Sequence, residues 1–246
     1  MRLNVFVASA AGVSRREADR LIEAGRIRVN GSPGVSGMKV SPEDVTELDG
    51  KQLFSVAEKT VVAFYKPVGV TCTERDPHAE RTLKDVFRYD RRLTYAGRLD
   101  RDSEGLLLMT DDGKLIDAMM SSRSGHEKEY LVETAAPVTD AQLRKMAGGI
   151  LLTQLGVRTR PCKITRTGKN AFRIILTQGL NRQIRRMCGA VGAQVVLLKR
   201  VRVLNVQLGE MRPGEQRRIT GGELETLYRE AGLPRTGTEK RGETRG

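Results

Sequence analysis

The chain has 246 residues, enough for a small domain and a medium one, and its 43 Lys and Arg against 30 Asp and Glu give a net charge of +13 and a pI near 10.0. That excess points to a polyanionic partner; with no apolar run near the roughly 20 residues of a membrane span and no signal-peptide core, cytosolic RNA or DNA is expected rather than a membrane. Cys72, Cys162 and Cys188 lie far apart with only His78 and His126 to join them, which excludes zinc-type spacing and a disulfide framework, and 4% aromatic content without Trp excludes a sheet that reads RNA by stacking alone.

Leu3, Phe6, Val7 and Ala10 recur at helical spacing, and Ala11-Gly12-Val13 ends that first helix. Ser14 with Glu17 three residues on predicts a capping box. The second helix it opens buries Ala18, Leu21 and Ile22, stops at Gly25, and leaves Arg15, Arg16 and Arg20 on its other side. Arg26-Ile27-Arg28-Val29 alternates as a strand does, and Asn30-Gly31 predicts a tight turn. Residues 1–40 carry 7 basic and 3 acidic side chains and residues 41–60 carry 2 and 5, so an acidic connector is expected to join two basic domains near Ala57–Thr60.

Val61-Val62-Ala63-Phe64-Tyr65 reads as a buried strand running into the turn Lys66-Pro67-Val68-Gly69. In Gly97-Arg98-Leu99-Asp100-Arg101-Asp102-Ser103-Glu104-Gly105-Leu106-Leu107-Leu108, acids stand between a glycine turn and an apolar run. A carboxylate there is held by backbone geometry yet stays close to solvent, which suits a nucleophile or an acid/base group. Leu106–Thr110 predicts a central strand and about Lys114–Met120 a helix, followed by a flexible basic loop over Ser121–Gly125. A strand is expected over 126–133, a helix over 138–148, and a hairpin from 163–167 and 171–177. Gln178-Gly179-Leu180-Asn181-Arg182-Gln183-Ile184-Arg185-Arg186-Met187-Cys188 is a glycine turn entering a helix with an apolar stripe of Ile184, Met187, Cys188 and Val191. Between Gln178 and Arg202 there are six basic residues and no acid, a pattern suited to a phosphate track.

Arg2–Gly31, with Ser14-Arg15-Arg16-Glu17-Ala18 and Arg26-Ile27-Arg28-Val29-Asn30-Gly31, resembles the S-four-type RNA-binding domain. Lys66-Pro67-Val68-Gly69, Gly97-Arg98-Leu99-Asp100, Lys128-Glu129-Tyr130 and Gln183-Ile184-Arg185 resemble, in order, the motifs of the bacterial ribosomal RNA pseudouridine synthases of the RsuA-like group; Tyr65 stands where that family usually has Asn. The forms Gly179–Met187 and His126–Tyr130 are most similar to members acting on large-subunit RNA.

The resemblance implies an α+β fold: an S-four-like domain over 1–58, a synthase domain with a mixed, mainly antiparallel sheet and flanking helices over 59–232, and a disordered basic tail over 233–246. It implies that Asp100 starts the cleavage, by attack on the anomeric carbon or by an abstraction that gives a glycal, that Arg185 pairs with it, and that Tyr130 meets a flipped base. RNA contacts are expected from Arg15, Arg16, Arg20, Arg26, Arg28, Lys66, Arg98, Asn181, Arg182 and Arg186, and Lys66 and Arg98 are also expected to brace the loops around the site. The isomerisation requires neither redox chemistry nor energy input, and the sequence has no dinucleotide or phosphate-loop fingerprint, so no cofactor and no metal are expected. The implied protein is a cytoplasmic monomer acting on ribosomal RNA, with transfer RNA as a secondary substrate.

Two other readings use the same residues. A non-catalytic ribosome-assembly factor would need only the basic surfaces, and a glycosidase acting on RNA would draw an acid and a nucleophile from Asp100, Asp102 and Glu104. In the synthase reading, Asp102-Ser103-Glu104-Gly105 shapes the turn by hydrogen bonds from side chains to backbone.

Overall fold

The computed structural model describes residues 1–54, 59–73, 79–121 and 125–234. Ala57 at the expected boundary, His78, the middle of the expected basic loop and the tail beyond 234 lie outside the described residues. Two compact units emerge, one over Met1–Lys59 with Tyr89–Leu93, the other over Thr60–Arg88 and the described residues from Thr94 onward.

In the first unit α1 spans Leu3–Ala11 and ends on Gly12, whose φ of 67° closes the helix in the left-handed conformation glycine favours. Helix α2, Arg15–Glu23, begins where the Ser14 hydroxyl accepts the Glu17 N–H at 3.1 Å. Only that half of the expected capping box forms, because the Glu17 carboxylate accepts from Arg20 instead. Strands β1 (Ile27–Val29), β2 (Ser32–Pro33), β3 (Thr46–Leu48) and β4 (Lys51–Leu53) form an antiparallel sheet in the order β2-β1-β3-β4. Asn30 and Gly31, at φ 50° and 79°, make the two-residue turn that sets Val29 opposite Ser32. Leu3, Val7, Ala18, Leu21, Ile22 and Ile27 are buried together, which leaves Arg15, Arg16, Arg20, Arg26 and Arg28 at the surface.

The second unit contains β5 (Val61–Lys66), α3 (Leu83–Val86), β6 (Thr94–Ala96), β7 (Glu104–Thr110), α4 (Gly113–Met120), β8 (Lys128–Thr134) and α5 (Asp140–Ala147). After the small β9/β10 pair, Leu151–Leu152 and Val157–Arg158, come β11 (Lys163–Arg166), β12 (Ala171–Leu176), α6 (Gln183–Gly189), β13 (Val195–Val203), β14 (Val206–Gln207), β15 (Gln216–Arg218) and α7 (Gly221–Glu230). The main sheet runs β11-β12-β8-β13-β7-β5-β15, with β6 and β14 attached to β7 and β13. Every pairing in it is antiparallel except β7 with β13, so the sheet is mixed and mainly antiparallel and the domain is α+β.

Two apolar cores flank this sheet. One joins Val61, Ala63, Leu106 and Leu108 to Leu115 of α4 and Leu227 of α7; the other joins Val132, Phe172 and Ile174 to Met146 of α5 and to Ile184 and Met187 of α6. At the parallel junction the strands approach so closely that a Cβ on Gly105 would lie 2.2 Å from the Arg200 carbonyl oxygen. With φ at +107°, Gly105 is the residue that lets β13 pass beside the Asp100 loop.

Candidate active site

Asp100 lies in the loop between β6 and β7, and that loop is fixed mainly through its backbone. The Gly69 N–H donates to the Arg101 carbonyl at 2.8 Å, Ser103 N–H to the Asp100 carbonyl at 3.1 Å, and the Arg185 Nη2 to the Asp102 carbonyl at 2.6 Å. Arg200 Nη1 donates to the Arg98 carbonyl at 3.2 Å, and buried Leu99 anchors the middle of the loop. The Asp100 side chain remains one-third exposed, at 33%. It faces a cleft of about 420 Å³ whose walls draw on both cores, Met119 from one and Leu176, Ile184 and Leu198 from the other.

Asp100, Tyr130, Arg98, Asn181 and Arg182 meet around this cleft. Arg185 differs from expectation: its Nε stands 3.1 Å from the Asp102 carboxylate, and it is not part of the cleft wall. Arg182 caps the N-terminus of α6 at φ 50° and forks onto Asp102 at 3.0 and 2.8 Å while standing 3.9 Å from Asp100. Residues three apart share a helix face, so both arginines reach the 100–102 loop together, and Asp102 is the carboxylate they engage. The Arg182 hydrogen bond, aided by the Arg185 charge, holds Asp102 below the usual carboxylate range. Asp102 therefore serves the arginines first and the turn backbone, through its own N–H, only last, and Glu104 pairs with Lys199 at 3.3 Å.

Of the two roles expected of Lys66, the structure shows the bracing one. Lys66 is 0% exposed and its ammonium donates to the Pro67 and Val70 carbonyls at 2.8 Å each, so it braces the Lys66–Gly69 turn and has no reach to a phosphate. Burial pushes its pKa down to about 8. Arg186 is also committed internally, to Asn181 and Gln154. In the first unit Arg26 forks onto Asp49, Arg20 pairs with Glu17 and Arg28 donates to the Gly31 carbonyl. Arg15 and Arg16 are exposed and make no hydrogen bond or ion pair among the described residues.

Sequence reasoning missed Lys128 and Arg200, which also line the cleft. The two-residue step from Lys128 to Tyr130, which sets both on one face of a strand, was the available signal for the first. Nothing local marked the second, because its setting depends on β13 lying between β8 and β7. A second cleft, of about 360 Å³, takes Glu129, Leu131, Arg173 and Arg202, the residues of β8 that alternate with Lys128 and Tyr130 and their partners. Its charges are matched internally, Glu129 accepting from both Arg173 and Arg202 at 2.6 and 2.7 Å.

Residues 60–190 match the family model described as RNA pseudouridylate synthase, and residues 1–45 match the S4 domain. The chain is 40% identical over 232 residues to the dual-specificity RNA pseudouridine synthase RluF of Escherichia coli O6:H1, covering 93% of this chain and 79% of that protein. It is 34% identical over 235 residues to the ribosomal small subunit pseudouridine synthase A of Vibrio vulnificus, covering 93% and 100%. A crystal structure of a pseudouridylate synthase superposes with a TM-score of 0.67 at 32% identity, over 92% of this chain and 99% of that one. The site and the matches define an enzyme that isomerises uridine within RNA. This chain belongs to the RNA pseudouridylate synthase family, as an RsuA-like member carrying an S4 domain, and membership sets aside the non-catalytic alternative.

Proposed function

We propose that this enzyme converts a specific uridine of large-subunit ribosomal RNA to pseudouridine in the cytoplasm, as a monomer, with Asp100 as the group that acts on the ribose. The observation that carries the assignment of Asp100 is its position: a one-third exposed carboxylate on a braced loop, sharing a cleft with Tyr130. A flipped uridine entering there brings its anomeric carbon to Asp100 and its base to Tyr130. Arg182 and Arg185 keep the 100–102 loop in register with α6 through Asp102. Phosphates are met by Arg98, Asn181 and Arg182 at the cleft and by Arg15 and Arg16 of the S4 domain. Identity to a relative named dual-specificity supports a second RNA substrate, for which transfer RNA is the candidate.

The test is to map pseudouridine by chemical adduct and reverse transcription in ribosomal RNA from a deletion strain complemented with wild type or Asp100→Asn. Wild type is expected to restore one large-subunit position and the variant none. Restoration in small-subunit RNA alone, or equal restoration by Asp100→Asn, overturns the reading. Release of free uracil supports the glycosidase instead.

A further inference from the structure

The cleft contains two cations that no carboxylate pairs among the described residues, one of which, Arg200, also braces the Asp100 loop through the Arg98 carbonyl. Arg200 is 2% exposed, donates Nε to the Leu106 carbonyl at 2.7 Å and Nη1 to the Arg98 carbonyl, and is the cross-strand partner of Tyr130. Lys128 lies two residues before Tyr130 on β8 and makes one long hydrogen bond, 3.4 Å to the His126 carbonyl. Neither forms an ion pair with a carboxylate among the described residues, whereas Arg182, Arg185, Lys199 and Arg202 all do. Burial, together with the Arg200 charge, lowers the Lys128 pKa to about 8.

Arg200 is buried and Lys128 half-buried, and cations withdrawn from water without a carboxylate partner destabilise a fold unless an anion reaches them. A phosphate is poorly suited to these two, because the exposed Arg98, Asn181 and Arg182 meet the RNA backbone first. The group that enters more deeply is the flipped base, and it becomes anionic during the reaction. When the C1′–N1 bond breaks, its electron pair stays on the uracil ring and spreads over N1, O2 and O4. The sugar is balanced by a bond from C1′ to the Asp100 carboxylate or, in the glycal route, by loss of its 2′ proton to Asp100. After the base turns, C5 bonds to C1′ as the C1′–Asp100 bond breaks or, in the glycal route, as the proton held by Asp100 returns to C2′; the C5 proton then leaves and N1 gains one, so the product is an isomer.

We propose that Lys128 and Arg200 are further catalytic residues, a pair of cations that contact the departing base and stabilise its negative charge. Fixed charges aimed at charge that develops in the transition state require no reorganisation during the reaction, and losing one such donor costs about 10²–10³ in rate.

The test compares wild type, Lys128→Met, Arg200→Lys and Arg200→Met in single-turnover reactions on a transcript that wild type converts, made with uridine or with 5-fluorouridine, following loss of the starting nucleoside. Fluorine makes the leaving base less basic, so it needs less help from the protein. Lys128→Met is expected to be slowed about 100-fold on uridine and about tenfold on 5-fluorouridine, with Arg200→Lys retaining most of the rate that Arg200→Met loses. An equal deficit for Lys128→Met on both transcripts is the signature of a structural role and overturns the proposal. So does a fall of about 0.7 or more in the salt slope of RNA binding by Lys128→Met, which marks a phosphate contact. Should Arg200→Met fail to fold, Lys128→Met decides the matter alone.

Discussion

Arg182 grips Asp102 with both ends of its guanidinium, at 3.0 and 2.8 Å, while standing 3.9 Å from Asp100. The two aspartates thus divide the work: one ties the loop to α6 and the other stays available to the cleft. Both partners in the fork are nearly half exposed, so its stability contribution is small, about 0.2–1 kcal/mol in a double-mutant cycle of Asp102→Ala with Arg182→Ala. The effect on catalysis should be larger, since without Asp102 the guanidinium is free to close on Asp100 and hold it away from the ribose. Asp102→Ala is expected to lower kcat more than tenfold with little change in KM, and stopped-time conversion assays alongside urea denaturation check both halves.

Lys66 gives a stability expectation. Replacing it with Met leaves the Pro67 and Val70 carbonyls without their donor inside the fold, at a cost of about 1–3 kcal/mol for an unsatisfied buried group. Part of this is offset, because the variant no longer buries a charge. The net loss is expected near 1 kcal/mol in denaturant unfolding, with the larger consequence a loosened turn next to the Asp100 loop and a reduced rate.

The same lysine sets a pH dependence. Its folded pKa of about 8 lies below the ordinary lysine value of 10.5, so above pH 8 the unfolded chain binds more protons than the folded one and this group's contribution to stability rises with pH up to 10.5. Below pH 8 the full cost of burying the charge is present. The wild type should therefore gain stability relative to Lys66→Met between about pH 7.5 and 9, and the difference of their unfolding free energies isolates this group from other titrations. A difference that is flat across that range would contradict the burial.

Much of this architecture is legible in local sequence, and the reasons show where legibility ends. Gly12, Ser14 and Asn30-Gly31 act through their own backbone conformations or nearest hydrogen bonds, so α1, α2 and the first hairpin follow from residues a few positions apart. Asp100 and Tyr130 are visible through their resemblance to the family's motifs. Arg200 is not, because its burial arises from β13 inserting between β8 and β7, a pairing between segments about ninety residues apart that no local period encodes. The Arg185 assignment fails to meet Asp100 for a related reason: spacing orders residues along α6, while the carboxylate they meet depends on how the helix docks against the loop.

In the S4 domain, Arg15 and Arg16 are exposed without partners among the described residues, whereas Arg26 spends its guanidinium on Asp49. Arg15→Ala and Arg16→Ala should each weaken RNA binding and lower its salt slope by about 1, with unchanged melting temperature. Arg26→Ala, measured in the same filter-binding series, should alter the salt slope less.

Gly105 offers the sharpest test of the fold beneath the site. Its φ of +107° is strained for any L side chain, and a methyl group would lie 2.2 Å from the Arg200 carbonyl oxygen and 2.7 Å from the Arg200 nitrogen, both backbone atoms that cannot swing aside. Gly105→Ala must therefore push β13 away from β7, lifting Arg200 from its bonds to Leu106 and Arg98 and releasing the loop that carries Asp100. A loss of about 3 kcal/mol or more is expected, a fall in Tm of roughly 6–12 °C for a domain of this size. Because the displaced strand carries Arg200, conversion should collapse even at temperatures where circular dichroism shows the variant folded; a folded Gly105→Ala enzyme with wild-type rate would mean that the close approach of these strands does not position the site.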